Sequence, residues 1–301
     1  MIRVGTCSWT EKSLIKSGQF YPGTIKTAED RLRHYAGTFS TVEVDSTYYA
    51  IPGRSTCSLW AERTPRDFIF HVKVYGALTG HGVDPGTLPP DIVCSLPAAD
   101  RNRKFVYVKD SAMLESIAER FRESLSPLIS TGKLGVIVFQ FPPWFHYSRI
   151  NREGLAHCKR LMHGLDIAVE FRHGSWFLAE RLEALLNFLA ENNITYVAAD
   201  EPQYGSLATV PFKPAVSTDI AYFRFHGRNR ENWLRRGIET SLRYDYLYSD
   251  DELAEFVPPV IKAAGTAKNV FTMFNNCHGS SAVRNAISFR DFLQRKNADV
   301  P

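Results

Sequence analysis

The sequence lacks the features that announce most functions. Its five cysteines (Cys7, Cys57, Cys94, Cys158 and Cys277) are odd in number, widely spread and never paired as C-x-x-C. That spacing speaks against a disulfide framework or a zinc ribbon and fits a reducing compartment. No G-x-G-x-x-G or G-x-x-x-x-G-K-[ST] follows the first strand-like run, and no H-E-x-x-H offers a zinc site. The longest charge-free apolar stretch, around Leu134 to Phe145, contains Gln140, Pro142 and Pro143 and is too short to cross a bilayer. Met1 to Thr6 reads directly into a strand with no apolar signal region, so a cytoplasmic protein with no membrane partner is expected. Charge of either sign is modest: 36 basic against 32 acidic residues give a net +4 and a pI near 8.7. Such a balance permits an anionic partner without requiring one, and falls far below that of a dedicated nucleic-acid scaffold.

What is present is a steady alternation. At 44% hydrophobic and 23% charged, the composition is that of an ordinary globular chain and excludes disorder, collagen and coiled coil. Short β-branched and aromatic runs read as strands at Val4–Ser8, Thr41–Asp45, Phe68–Val74, Gly135–Gln140, Ile167–Arg172, Thr195–Asp200, Tyr222–His226 and Val270–Asn275. Helical periods lie between most of them, at Ala28–Ala36, Ser55–Arg63, Met113–Leu125, Asn151–Met162, Trp176–Glu191, Asp250–Ala264 and Ser280–Gln294. Eight strands in βα alternation predict an α/β fold, a single TIM-like (β/α)8 barrel spanning residues 1–301. An open doubly wound sheet is the competing fold and has no phosphate-loop motif to support it. Two connections depart from the ideal. Residues 76–102 form a long Gly- and Pro-rich loop after the third strand, a candidate lid. Pro202, Pro211 and Pro214 predict that the sixth helix is missing or irregular.

Buried parallel strands should be apolar throughout. These end instead on polar groups: Ser8, Glu43, Lys73, Gln140, Glu170, Asp200, Arg224 and Asn275. The carboxyl ends of the strands are where such barrels carry their sites. Alternation along the strand turns Glu43, Asp45, His71, Lys73, Glu170, Arg172, Tyr222, Arg224 and His226 inward. Asp200 is grouped with them as a further inward carboxylate. A buried salt-bridge network kept only for stability is one reading of this set, but desolvating so many ions is costly. A site is the favoured reading.

The loops after the seventh and eighth strands, with Arg228, Asn275, Asn276 and Ser280 at a helix start, suggest an anion pocket together with Arg172 and Arg224. Ser280 or Ser281 is expected to cap that helix. Trp9, Tyr48 and Trp176 follow strand ends and are candidate aromatic platforms, as are Tyr49 and Trp144. Glu43, Glu170, Asp200 and His226 are metal-ligand types, yet three nearby cations oppose an ion, so no metal or cofactor is predicted. Cys7 and Cys277 are expected to be buried, inert thiols.

Ordered blocks then give a resemblance covering Ile2 to about Phe292. They are Gly5-Thr6-Cys7-Ser8-Trp9, Phe20-Tyr21-Pro22, Val42-Glu43-Val44-Asp45-Ser46-Thr47-Tyr48-Tyr49, Thr64-Pro65-x-x-Phe68-x-Phe70-x-Val72-Lys73, Gln140-Phe141-Pro142-Pro143, Val169-Glu170-Phe171-Arg172-His173-x-Ser175-Trp176, Tyr222-Phe223-Arg224-Phe225-His226-Gly227-Arg228-Asn229, Arg243-Tyr244-x-Tyr246 and Phe274-Asn275-Asn276. With these the chain resembles the YecE-like "domain of unknown function 72" family. Asp45, where members often carry Asn, and Thr79-Gly80-His81-Gly82 depart from its pattern. The resemblance implies a TIM-like barrel and supplies no reaction.

Function is therefore read from the residues. The favoured reading is an enzyme, of hydrolase, isomerase or lyase class, binding a small anion (sulfate, phosphate or carboxylate) at the carboxyl-terminal face. Arg172, Arg224 and Arg228 would clamp the anion, Glu170 or Glu43 would act as base, and Lys73 or His226 as acid or electrostatic stabiliser. Lys73 should lose its proton easily unless a carboxylate holds it; the inward carboxylates predict such a partner, and hence a clamp. A glycoside hydrolase using paired carboxylates is one alternative. A nucleic-acid-binding or DNA-repair-type barrel is another, disfavoured by the absence of a long basic stripe.

Overall fold

Eight strands appear where apolar β-branched residues cluster, and all are parallel. They are β1 (Ile2–Thr6), β2 (Thr41–Val44), β3 (Ile69–Lys73), β4 (Leu134–Gln140), β5 (Ile167–Glu170), β6 (Thr195–Asp200), β7 (Ile220–Phe225) and β8 (Asn269–Phe274). The computed structural model describes residues 1–296 and 298–300. Ladder pairing runs in the order β1-β8-β7-β6-β5-β4-β3-β2, curling the sheet into a nearly closed barrel. The helices are α1 (Lys12–Ser17), α2 (Ala28–Thr38), α3 (Arg54–Glu62), α4 (Pro90–Ser95), α5 (Ala98–Arg101) and α6 (Ser111–Ser124). They continue as α7 (Ser126–Ser130), α8 (Arg149–Leu161), α9 (Ala179–Glu191), α10 (Asp250–Ala264) and α11 (Ser281–Arg295).

Sequence and structure agree on every strand and differ at element ends. The first strand begins two residues earlier than its apolar run suggested, leaving Cys7 and Ser8 beyond its end. The helix expected from Trp176 starts at Ala179, after a separate 3-10 turn over Gly174–Phe177. No helix joins β6 to β7. The stretch 76–102 is no open loop: two 3-10 turns, α4 and α5 run through it, and Val83 bridges to Val106. Helix starts follow side-chain chemistry. Thr27 with Asp30 and Ser249 with Glu252 form capping boxes at α2 and α10.

No ladder joins β1 to β2 among the described residues. Tyr35 of α2 spans the gap: its hydroxyl accepts from the Thr6 amide at 2.9 Å and donates to the Thr41 carbonyl at 3.2 Å. Gly5 allows this approach, because a Cβ there would stand 2.4 Å from the Thr41 oxygen.

Inside the barrel the lower layers are apolar and aromatic. Val136, Val138, Ala168, Val197, Ile220, Tyr222, Phe271 and Met273 pack together there. His71 lies among them, its ring edge-on to Tyr222 and Phe271, and Nδ1 accepts from the Val136 amide at 3.0 Å. Burial holds its pKa down to about 3, so it sits neutral in the core. The charged layer begins one step higher, at the strand ends.

Candidate functional site

Arg224 of β7 is the centre of that layer and is fully buried. One guanidinium nitrogen donates to Glu43 of β2 at 2.7 Å. The other donates to Glu170 of β5 and, at 3.1 Å, to Gln140 of β4. Arg172 takes the second Glu170 oxygen through Nε and reaches Glu201 at 2.9 Å. The result is an alternating chain, Glu43–Arg224–Glu170–Arg172–Glu201, laid across the top of the barrel. His226 closes it from one side, with Nε2 3.2 Å from both Glu170 and Arg172 and Nδ1 2.9 Å from the Asn275 amide.

Proton affinities follow from this wiring. Burial pushes the Glu43 carboxyl up to about 7, against the opposing pull of Arg224. Glu201 is likewise raised by burial to about 7, against Arg172. Burial would raise Glu170 too, but Arg172, Arg224 and His226 together outweigh it and hold that carboxyl well below its usual range. Burial, assisted by Arg172, drives the His226 imidazole down to about 3. It is therefore neutral near pH 7, with Asn275 at one ring nitrogen and an Arg172 N–H 3.2 Å from the other.

Strand alternation brings Glu43, Glu170, Arg172, Arg224 and His226 together at one end of the barrel. It does not bring Asp200. Ala199, not Asp200, lies level with Arg224 across the β6–β7 ladder, so Asp200 turns outward and the inward carboxylate is its neighbour Glu201. Behind the wall Asp200 pairs with Arg228 at 3.1 Å and accepts from the Tyr248 hydroxyl at 2.7 Å. Arg228 also meets Glu252 and Glu255 of α10.

The single pocket expected around Arg224, Arg228, Asn276 and Ser280 is therefore not assembled. Arg228 belongs to the outer cluster, and Asn276 donates to Asn285 and to the Tyr246 carbonyl. Ser280 bonds Gln19 and makes no side-chain cap on α11. The hollow beside Cys277 and Gly279 holds only about 10 Å³, too little for a phosphate. Trp9 packs against Trp60 and Phe70, and Trp176 is fully buried against Phe145 and Phe171. Both are core residues, because the chain folds back under the rim just after their strands. Tyr48 does stand at the mouth, with Lys73 Nζ 4.6 Å above its ring. No carboxylate lies within 4.0 Å of Lys73 among the described residues, so the expected partner is missing; Asp45, the nearby acid, leans toward Arg224 at 3.7 Å. Burial of the two mouth thiols, Cys7 and Cys277, raises both well above the usual range.

Above Arg172 opens a cleft of about 900 Å³. Gln140, Arg172 and Glu201 form its polar floor, and Trp144, Trp233 and Tyr244 its aromatic walls. Arg236 and Arg243 also line it, and neither has a carboxylate within 4.0 Å among the described residues. Sequence reasoning missed Glu201, Trp233 and Arg236, and gave Arg243 and Tyr244, which lie in a block carrying the resemblance, no role in the site. Glu201 is set by the β6–β7 register, which nothing in the β6 sequence signals. The others sit in the connection after β7, which has no periodicity to read. His81, from the β3 insertion, also reaches the mouth, with its ring 5.2 Å from Tyr48 and 5.7 Å from Trp144. Among the described residues no cluster of three or more His, Cys, Asp or Glu side chains is arranged to hold a metal, and no helix is long and apolar enough to cross a membrane.

With this geometry in place, comparison with known proteins is informative. A family described as "Protein of unknown function DUF72" matches residues 3–301. The UPF0759 protein YunF of Bacillus subtilis is 31% identical over 297 residues, covering 97% of this chain and 95% of that protein. The crystal structure of a DUF72 family protein from Enterococcus faecalis superposes with a TM-score of 0.79 at 30% identity, covering 98% of this chain and 96% of that one. Another, from Thermotoga maritima, gives 0.77 at 32% identity, covering 98% and 99% of the two chains.

Proposed function

We propose that this chain, which belongs to the DUF72 family, is an enzyme that binds a small phosphate- or carboxylate-bearing molecule in the cleft above Arg172. One observation carries the reading: Arg236 and Arg243 face the cleft without carboxylate partners, beside Arg172 on its floor. Guanidiniums without carboxylate partners lining one space, with Arg243 held by the Arg235 carbonyl, favour an anion, which they can grip through N–H bonds. Glu201, with its carboxyl near 7, is the cleft-facing group suited to take and return a proton at neutral pH. Glu170, Glu43 and His226 are sealed below the floor and act through Arg172 and Arg224, as positioning residues.

A retaining or inverting glycosidase is less well supported. Its two carboxylates would be Glu43 and Glu170, and both are fully buried against Arg224. The tryptophans beside the arginines would also accept a base next to its phosphate, which keeps a nucleic-acid ligand as the second reading.

Thermal denaturation in the presence of ligands tests the proposal. Inorganic phosphate, sugar phosphates and dicarboxylates should each raise the midpoint more than their uncharged counterparts. Arg243→Gln should weaken that effect by about tenfold in apparent affinity, the cost of one charge-assisted contact. If no anion outperforms its neutral counterpart, the reading is overturned. If only nucleotides and oligonucleotides do, the second reading replaces it.

A further inference from the structure

Two lysines have ammonium groups disfavoured by burial, and their surroundings differ completely. Lys133 is sealed under α3, where Nζ donates to the carbonyl oxygens of Ala61 and Thr64 and, at 3.1 Å, to the Thr64 hydroxyl. Those acceptors fix it as a structural cation. Lys73 stands half-buried at the carboxyl end of β3, its Nζ over the Tyr48 ring, with no hydrogen-bond acceptor and no carboxylate within 4.0 Å among the described residues. Burial lowers its proton affinity, with Asp45 opposing and Arg224 assisting.

His81 completes the setting. The Thr79 hydroxyl donates to the Gly76 carbonyl at 3.0 Å and so accepts from His81 Nδ1 at 2.8 Å. That leaves Nε2 of His81 as a free acceptor. Burial, with Lys73 and Arg172 assisting, holds the ring's pKa down to about 4, so it is neutral. The ring stands 5.2 Å from Tyr48, over which Lys73 Nζ lies, and 5.7 Å from Trp144 of the cleft wall.

We infer that Lys73 is a nucleophilic amine that forms an imine with the carbonyl group of an anionic aldehyde or ketone. The inference rests on the anion-binding reading: the cleft arginines hold the charged end of the molecule whose carbonyl reaches Lys73. The nitrogen lone pair attacks the carbonyl carbon, an N–C bond forms, and the C=O π pair moves to oxygen, which takes up a proton. The carbinolamine then loses that oxygen as water, carrying the two protons the nitrogen gave up, and the C=N bond remains. No oxidant or second substrate is needed. His81 Nε2, a free acceptor on the ring that neighbours the same Tyr48, is the group that would carry a proton from nitrogen to oxygen.

The test uses the intact protein with glyoxylate, pyruvate and, as an uncharged control, acetaldehyde, each followed by borohydride and peptide mass mapping. Lys73 should be alkylated more than any exposed lysine, because burial leaves a larger share of it as free amine. Glyoxylate and pyruvate should outperform acetaldehyde. Lys73→Arg, which keeps the charge above Tyr48, should abolish the adduct with the melting midpoint unchanged. Adducts spread evenly over exposed lysines, or none on Lys73, would overturn the imine and leave anion binding to be judged by the thermal series. Trapping on Lys73 that is equal for acetaldehyde and glyoxylate would keep the imine and overturn the anionic substrate.

Discussion

Asp200 and Glu201 are consecutive in the chain and serve different arginines on opposite sides of the same barrel wall. Inside, Glu201 is 2.9 Å from Arg172, in a layer where Arg224, Glu43 and Glu170 have no exposure at all. Outside, Asp200 holds Arg228, whose side chain is 29% exposed and is shared with carboxylates on α10. The residue types are the same and the physics is not. Water reaches Arg228 and the α10 carboxylates and screens those pairs, although Asp200 itself is buried, so the cluster contributes less than the inner layer. The inner layer has lost its water, so each charge depends on its partners, and removing one leaves the others stranded. An arrangement of this kind is costly to keep for stability alone. It makes sense as the rigid floor on which Arg172 and Glu201 are presented to the cleft.

The sharpest way to break this contrast is Arg224→Met. With the guanidinium gone, Glu43 and Glu170 face each other in the barrel core. Urea denaturation should show a loss of about 3–5 kcal/mol, the usual effect of breaking a buried pair. A loss below about 1 kcal/mol would mean that the inner layer is as screened as the outer one.

Acid titration sharpens the comparison further. His226 titrates near 3 when folded and near 6.5 when unfolded, so the unfolded chain binds the extra proton between those values. Its contribution to stability is complete above pH 6.5 and fades as the pH falls toward 3. Between pH 6.5 and 4.5 this amounts to about 2–3 kcal/mol. Relative to wild type, His226→Gln should therefore become progressively more stable by that amount over the same window. Parallel urea midpoints for the two proteins at all pH values would show that the imidazole is not sealed. The smallest effect is expected outside the barrel: Arg228→Ala should cost about 1–2 kcal/mol, because Tyr248 still holds Asp200, and should leave anion binding unchanged. A change in anion affinity would connect the outer cluster to the cleft after all.

How much of this was legible depended on local pattern. The eight strands announced themselves through apolar runs such as Val136–Phe139 and Ile167–Val169. Alternation against bulky outward residues then fixed Glu170, Arg224 and Glu43. In β6 that contrast fails: Ala198 and Ala199 are both small, so nothing in Thr195–Asp200 says which side Asp200 faces. The register with β7 decides it. Trp9 and Trp176 misled because position after a strand suggests the rim, whereas the backbone turns each ring under its neighbours. The unpaired arginines lie in a long irregular connection, where only three-dimensional packing determines what faces what. The partner expected for Lys73 failed for a similar reason: an excess of carboxylates in one layer does not say which cation each will choose.

The Tyr35 hydroxyl has a consequence for how the whole molecule holds its shape. Seven of the eight seams around the barrel are stitched by backbone ladders that any sequence could supply. The eighth is fastened by side chains, Tyr35 at Thr6 and Thr41 and Arg3 at the Ser40 carbonyl. Cut there, the cylinder becomes an unrolled ribbon with two free margins, and the strands beside the cut are β1, which leads to Cys7, and β2, which carries Glu43. A phenol on an outer helix thus acts as the hasp of the barrel, and how tightly it shuts sets how rigidly the charged floor is held.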